Sequence, residues 1–277
     1  MFGREKIEYK TPEQVRVMRR AGLVVADIHA ALRAAVAPGM TTGDLDAVSA
    51  EVIERAGARS NFLGYQGFPA TACISVNEEI VHGIPGERVI QDGDVVSFDC
   101  GAVVDGWHGD AAFSMVVGQA AAEDLALVET TEAAMWAGIA ALATGSRLGD
   151  VGAAVEDAVE RANAERGLRL GVVEEYVGHG IGTAMHQPPE VLNYRTREKG
   201  PRLRPGMCLC VEPMITAGSS ENTVLEDEWT VVTLDGSRAA HFEHTVALLD
   251  GGIWVLTAPD GGAAALAAHG VEVAPLT

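Results

Sequence analysis

An internal duplication in the sequence limits the folds open to this chain. Residues 37–56, APGMTTGDLDAVSAEVIERA, align without a gap to residues 143–162, ATGSRLGDVGAAVEDAVERA, and 8 of the 20 residues are identical. In both segments a Gly-Asp turn leads into apolar residues at helical spacing, which predicts an amphipathic helix. The large separation between these two segments indicates two related halves of the chain and not a short-period solenoid.

Two further matches follow in the same order. DGDVVSFD (92–99) and PGMCLCVE (205–212) each place a carboxylate six residues after a glycine, at the end of an apolar strand. VHGIPGE (81–87) loosely matches MHQPPE (185–190). Because chance similarity does not explain three matches in one order, we predict an α+β protein with pseudo-twofold halves. Its strands would curve around a site between the halves.

Composition narrows the class of protein. The chain has 277 residues, 48% of them hydrophobic, and a formal net charge of −19, which is typical of a globular protein that avoids nucleic acid and anionic membranes. No apolar run reaches the roughly 20 residues of a membrane span, and the start MFGREKIEYKTPEQ lacks the pattern of a signal peptide. We therefore expect a cytoplasmic protein that binds neither DNA nor membrane.

The cysteines do not form a metal or redox motif. There is no C-x-x-C pair among Cys73, Cys100, Cys208 and Cys210, so a zinc ribbon or a thioredoxin-like site is unsupported. Cys208 and Cys210 would share one face of a strand and pack as small hydrophobic side chains.

Two aspartates are predicted to meet on a buried hairpin. Asp105-Gly106 between apolar strands is a two-residue turn signal, which puts Asp110 opposite Gly101 and diagonal to Asp99 on the same face. We expect Gly101 to leave the space between the two acids open. Two buried aspartates repel each other and need a cation. The alternative is that both acids lie on a solvated face.

Two more acids and two histidines of interest lie in the second half. Glu212 ends MCLCVE, Glu243 lies in HFEHTVALL, and GHGIGTAMH (178–186) holds His179 and His186 in a glycine-rich segment. Four carboxylates with one imidazole suit Mn, Fe, Co or Zn, and their total charge exceeds that of one ion, which favours a pair of metals.

Five motifs together resemble the type I methionine aminopeptidases of the pita-bread fold, metallopeptidase family M24. They are CISVNEEIVHGIP, VSFDCGAVVDGWHGDAAFS, VGHGIGTAMHQPP, VEPM and FEHT, and the resemblance runs from about residue 8 to residue 250. It implies one catalytic domain over residues 1–277, with halves at about 10–118 and 119–250. Residues 251–277 would add a C-terminal strand and a low-complexity tail that frays.

The resemblance implies a role for each site residue. Asp110 and Glu243 would bridge two divalent ions (Co, Mn, Fe, Zn or Ni), Asp99 would hold one, and His179 with Glu212 the other. The catalytic residues would be His82, His186 and Glu212, with both histidines also contacting substrate. The methionine pocket would be formed by Tyr65, Phe68, Cys73 and Trp229, with Phe62 at its rim. Met185 stands where the family often has an aromatic residue, and QPP follows His186, so pocket shape should differ.

The implied activity is removal of the initiator methionine from nascent proteins when the second residue is small. A hydroxide activated by the metal pair would attack the first peptide bond. Partners would be nascent N-termini and, transiently, the ribosome, and the protein would be a monomer. Three alternatives remain open at this point. They are an Xaa-Pro aminopeptidase or prolidase of the same fold, a ribosome- or RNA-binding pseudoenzyme, and a metal-storage or structural protein.

Overall fold

The computed structural model describes residues 6–276, so residues 1–5 and 277 of the expected domain lie outside it. The helices are α1 Pro12–Ala35, α2 Thr42–Arg55, α3 Ala122–Thr144, α4 Gly149–Arg166 and the short α5 Ala263–Ala267, with a 3₁₀ turn at Tyr65–Gly67. The strands are β1 Arg59–Ser60, β2 Ala72–Val76, β3 Glu79–Val81, β4 Asp94–Val104, β5 Trp107–Val117, β6 Gly171–Val172, β7 Gly178–Gly180, β8 Gln187–Val191, β9 Cys208–Val211, β10 Met214–Thr216, β11 Asn222–Val224, β12 Val231–Thr233, β13 Ala239–His241, β14 Glu243–Leu249 and β15 Gly252–Val255.

One antiparallel sheet joins strands from both predicted halves. Its main path runs β1-β4-β5-β14-β9-β7-β8, while β2 pairs with β4 and β15 with β14. Smaller sheets, β13-β10-β6 and β11-β12-β3, adjoin it in the described chain. Because β14 pairs with both β5 and β9, it lies between the strands of the first half and those of the second.

The β4–β5 hairpin has the predicted register. Val104 pairs with Trp107, so Asp105 and Gly106 form the two-residue turn, with φ values of 49° and 81°. Both residues adopt positive φ, which is what a type I′ hairpin turn requires. Pairing continues without a slip to Asp94–Val117, so the faces of both strands are set by this turn.

The long helices cover the sheet in pairs. α1 begins at a capping box in which the Thr11 side chain accepts from the backbone N–H of Gln14, as its sequence predicts. α1 packs on β4 and β5 through buried residues that include Val25 and Ile28, and α3 packs on α4. Each predicted half therefore contributes two helices, then strands.

The duplicated Gly-Asp pair lies inside each helix and not in a turn before it. α2 starts at Thr42 with Thr41 as its cap, so Asp44 falls in the first turn and its carboxylate accepts from the backbone N–H of Thr41. α4 likewise starts at Gly149. An aspartate in a first turn is favourable because it faces the free N–H groups and the positive end of the helix dipole.

The C-terminal tail is packed, which contradicts the expectation of fraying. Leu266, Val271 and Ala274 are buried, and the N–H of Ala274 donates to the carbonyl of Ile253 at 3.0 Å. Scattered apolar side chains in an alanine-rich segment were enough to hold it against the main core.

The helix α3 is long and apolar enough to cross a membrane by length and composition alone. Its most apolar window has a mean hydropathy of 1.3, and 61% of that window is buried inside the protein. A buried core helix passes the same test, so α3 is weak evidence for a membrane span.

Candidate metal centre

Adjacent strands of the main sheet bring the five predicted ligands together. Asp99 lies on β4 and Asp110 on β5, and the register pairs Gly101 with Asp110 and Asp99 with Ala112. Glu243, the first residue of β14, also pairs with Ala112. Glu212 follows β9, and His179 lies on β7, which pairs with β9.

The donor atoms of these residues converge on Glu243. One oxygen each from Asp99, Asp110 and Glu243 lie within 4.8 Å of one another, and Glu243 also forms such a group with His179 and Cys210. The Nε2 atom of His179 is 3.3 Å from Oε1 of Glu212. The four acids and the imidazole thus form one cluster, with Glu243 at its centre.

Burial and mutual repulsion make this cluster unfavourable in charged form. Burial raises the pKa of Asp99 to about 7. Burial, with the Glu243 and Asp99 carboxylates, raises the pKa of Asp110 well above its usual range, and the pKa of Glu243 rises through burial and Glu212. Burial, followed by Asp99 and Asp110, likewise raises the pKa of Glu212. Such acids ionise readily only beside a cation.

The side chains fit divalent metal ions. Among residues 6–276, buried oxygens of Asp99, Asp110, Glu212 and Glu243 lack a hydrogen-bond partner, although buried polar atoms are normally paired. His179 donates from Nδ1 to the carbonyl of Gly180 at 3.0 Å, which leaves the Nε2 lone pair directed at the acids. A backbone acceptor on the far nitrogen is the usual support for a metal-binding imidazole.

An apolar pocket opens beside the acids. Phe62, Phe68, Cys73 and Met185 form a buried cluster of their own, with Tyr65 and Trp229 packed against it. The rings of Phe68 and Trp229 meet edge to face at 5.0 Å. The structure therefore brings the six predicted pocket residues together around one apolar pocket, with Phe62 inside the buried cluster and not at its rim.

The two other predicted histidines flank the same cavity. The cavity has a volume of about 240 Å³, and its lining includes His82, His186, all five predicted ligands and the predicted pocket residues. The Tyr65 hydroxyl lies 2.9 Å from Nδ1 of His186, and burial lowers the pKa of His82 to about 4. His82 has a φ of 60°, a backbone conformation that costs energy and is often found at functional sites.

Asn61 is a site residue that the sequence did not reveal, and the space expected beside Gly101 is not open. A Cβ atom on Gly101 would lie 2.7 Å from both Cβ and Cγ of Asn61, so the space is filled and not open. Asn61 donates from Nδ2 to the carbonyl of Gly109 at 3.1 Å and lowers the pKa of Asp110 by hydrogen bonding, against the larger effect of burial.

His241, also missed, lines the cavity on the side of Glu212. His241 ends β13 and Glu243 begins β14, and residues two apart on extended backbone share a face, so this spacing was a usable signal. Cys210 was predicted to be a core residue and is one: it is fully buried in an apolar cluster. Burial raises the pKa of its thiol well above the usual range, which disfavours the thiolate that a metal needs.

An antiparallel sheet that gathers buried acids and an imidazole beside an apolar pocket suits a divalent-metal site next to a bound substrate. Residues 16–250 match Metallopeptidase family M24. A methionine aminopeptidase 1 of Mycobacterium tuberculosis is 47% identical over 92% of this chain and 96% of its own length. A methionine aminopeptidase 1 of Bacillus subtilis is 44% identical over 90% of this chain and 98% of its own length.

A crystal structure of a methionine aminopeptidase from Thermotoga maritima superposes with a TM-score of 0.86. It is 39% identical, and the match covers 91% of this chain and 99% of that one. The chain belongs to Metallopeptidase family M24, and its curved sheet with flanking helices is the pita-bread fold, which confirms the predicted fold class.

Proposed function

We propose that this protein is a methionine aminopeptidase that removes the initiator methionine from nascent polypeptides when the second residue is small. One cavity joins the acid cluster to an apolar pocket that is lined by sulfur and aromatic side chains, and this arrangement supports the proposal. The pocket suits a thioether side chain, because sulfur packs favourably against aromatic rings.

Two divalent ions would occupy the acid cluster. Asp99 would hold one ion, and His179 with Glu212 would hold the other. Asp110 and Glu243 would contact both ions. The metal would be Co, Mn, Fe, Zn or Ni. Four acids carry more negative charge than one divalent ion neutralises, which favours a pair. When bound, such ions lower the pKa of water towards neutrality and stabilise the negative charge that develops during hydrolysis.

The chain's own residues would move the protons. Glu212, whose unpaired Oε1 faces the cluster, would accept a proton from the attacking water and deliver it to the leaving amine. His186 would donate from Nε2 to the peptide carbonyl, because its Nδ1 is engaged by the Tyr65 hydroxyl. His82, which lines the same cavity, would contact the leaving amide.

The remaining expectations belong to the same proposal. Residues 1–277 would form one catalytic domain with halves at about 10–118 and 119–250, acting as a cytoplasmic monomer on nascent N-termini with transient ribosome contact. The formal net charge of −19 supports an enzyme that binds neither DNA nor a membrane.

A reconstitution assay tests the function. Chelated protein is loaded with Mn²⁺ or Co²⁺ and given Met-Ala-Ser and Ala-Pro substrates in parallel. We expect cleavage of Met-Ala-Ser after the first residue only. Preference for the Ala-Pro substrate would assign an Xaa-Pro peptidase instead, and no cleavage by a metal-loaded protein would favour a binding or storage role.

A further inference from the structure

The unpaired buried atoms of this site include one that no role yet explains. Besides the four acid oxygens, Nε2 of His241 lacks a hydrogen-bond partner within residues 6–276. The residue is only 2% exposed. An imidazole nitrogen left unpaired in a buried position is costly unless something else binds it.

The distances around Glu212 fit two imidazoles that share a metal ion with this carboxylate. Nε2 of His179 lies 3.3 Å from Oε1 of Glu212, and Nε2 of His241 lies 3.7 Å from its Oε2. The second distance is too long for an N–H···O hydrogen bond, which spans roughly 2.7–3.2 Å. Two donors on a common metal lie up to about 4.4 Å apart, because each metal–ligand bond is about 2.0–2.2 Å.

His241 also meets a second ligand. One donor atom each from Glu212, His241 and Glu243 lie within 4.8 Å of one another. The backbone N–H of His241 donates to the Ser114 hydroxyl at 2.8 Å, and that hydroxyl donates back to the His241 carbonyl at 2.9 Å. This reciprocal pair fixes the backbone of His241 to β5, the strand that carries Asp110.

We propose that His241 is a sixth metal-binding residue, which joins Glu212 and Glu243 in holding one divalent ion through Nε2. The site would then contain two imidazoles. A second nitrogen shifts the preference of an oxygen-rich site towards Co²⁺ and Zn²⁺ and away from Mn²⁺. The proposal extends the metal centre of the proposed function and does not depend on which peptide is cleaved.

The decisive measurement counts imidazoles at the metal. Full-length chelated protein receives one equivalent of Cu²⁺, and pulsed electron paramagnetic resonance reports the imidazoles coupled to it. We expect two in the wild type and one in His241→Gln. A count of one in the wild type overturns the proposal without any variant being needed.

Metal affinity gives an independent check. Calorimetric titration of His241→Gln should show at least about tenfold weaker Co²⁺ binding and a smaller loss for Mn²⁺. His82→Gln is the matched control, because His82 lines the same cavity but is absent from the donor groups found in residues 6–276; it should retain both imidazoles and the wild-type affinity. A weaker affinity with two imidazoles still counted would make His241 a positioning residue and refute ligation.

Discussion

Replacing Gly101 by alanine should disturb the site through Asn61. The new Cβ would lie 2.7 Å from two carbons of Asn61, a buried residue that is only 6% exposed. Overpacking of this kind costs about 1–3 kcal/mol, and loss of the Asn61 hydrogen bond to the Gly109 carbonyl adds about 1 kcal/mol. We therefore expect the free energy of unfolding to fall by about 2–4 kcal/mol.

Urea unfolding of the chelated protein measures the free energy of unfolding. A separate Co²⁺ titration of the folded protein measures its metal affinity. Because Gly101 pairs directly with Asp110, Co²⁺ binding should weaken as well. A double variant, Gly101→Ala with Asn61→Gly, removes the clashing carbons and should lose less stability than the two single changes predict together. If Gly101→Ala unfolds at the wild-type urea concentration, or if the two changes are additive, the clash with Asn61 is not what excludes a side chain at this position.

Three further predictions concern metal, catalysis and pH. Chelation should abolish cleavage of Met-Ala-Ser, and Mn²⁺ or Co²⁺ should restore the wild type but not Glu243→Gln; full activity after chelation would refute a metal requirement. His82→Ala and His186→Ala should lower kcat by roughly 10²–10⁴-fold, and metal loss measured by elemental analysis would instead make either residue a ligand. Burial lowers the pKa of His29 to about 3. Below about pH 6.5 the unfolded chain therefore binds a proton at His29 that the folded protein does not bind, and the free energy of unfolding decreases as the pH is lowered. Between pH 7 and 5, His29→Gln should lose about 2 kcal/mol less stability than the wild type in urea unfolding, and an equal loss would contradict this.

The parts of the fold that follow short-range rules were predictable from the sequence. Asp105-Gly106 fixes a two-residue hairpin, and the alternation of the strands then places Asp99 and Asp110 on one face, as the structure shows. The Thr11 cap likewise depends only on the residues beside it. Motif resemblance supplied the rest of the cluster, because the pairing of β14 with both β5 and β9 is a long-range contact that spacing alone does not reveal.

The contact between Asn61 and Gly101 could not be predicted from the sequence, because it depends on long-range strand pairing. Asn61 follows β1, whose pairing with β4 carries it over Gly101, and the N–H of Asn61 donates to the Gly101 carbonyl at 3.3 Å. A glycine opposite an acid is equally consistent with empty space and with a neighbour that occupies it. The strand that pairs with β4 on its other side, β1, decides between these two possibilities. Nothing in the sequence around residue 101 identifies that strand.

The unpaired atoms reveal how the fold and the function are related. A sheet core normally excludes unpaired charge, yet adjacent strands here bury acids whose pKa values burial raises. Packing elsewhere must offset that cost, and the helices α1 and α3 on the sheet bury the apolar residues that can do so. The cost also explains why His241 matters: a neutral nitrogen adds a metal-binding atom to a crowded cluster without adding negative charge. Further acids would have raised the repulsion that the bound ions must overcome.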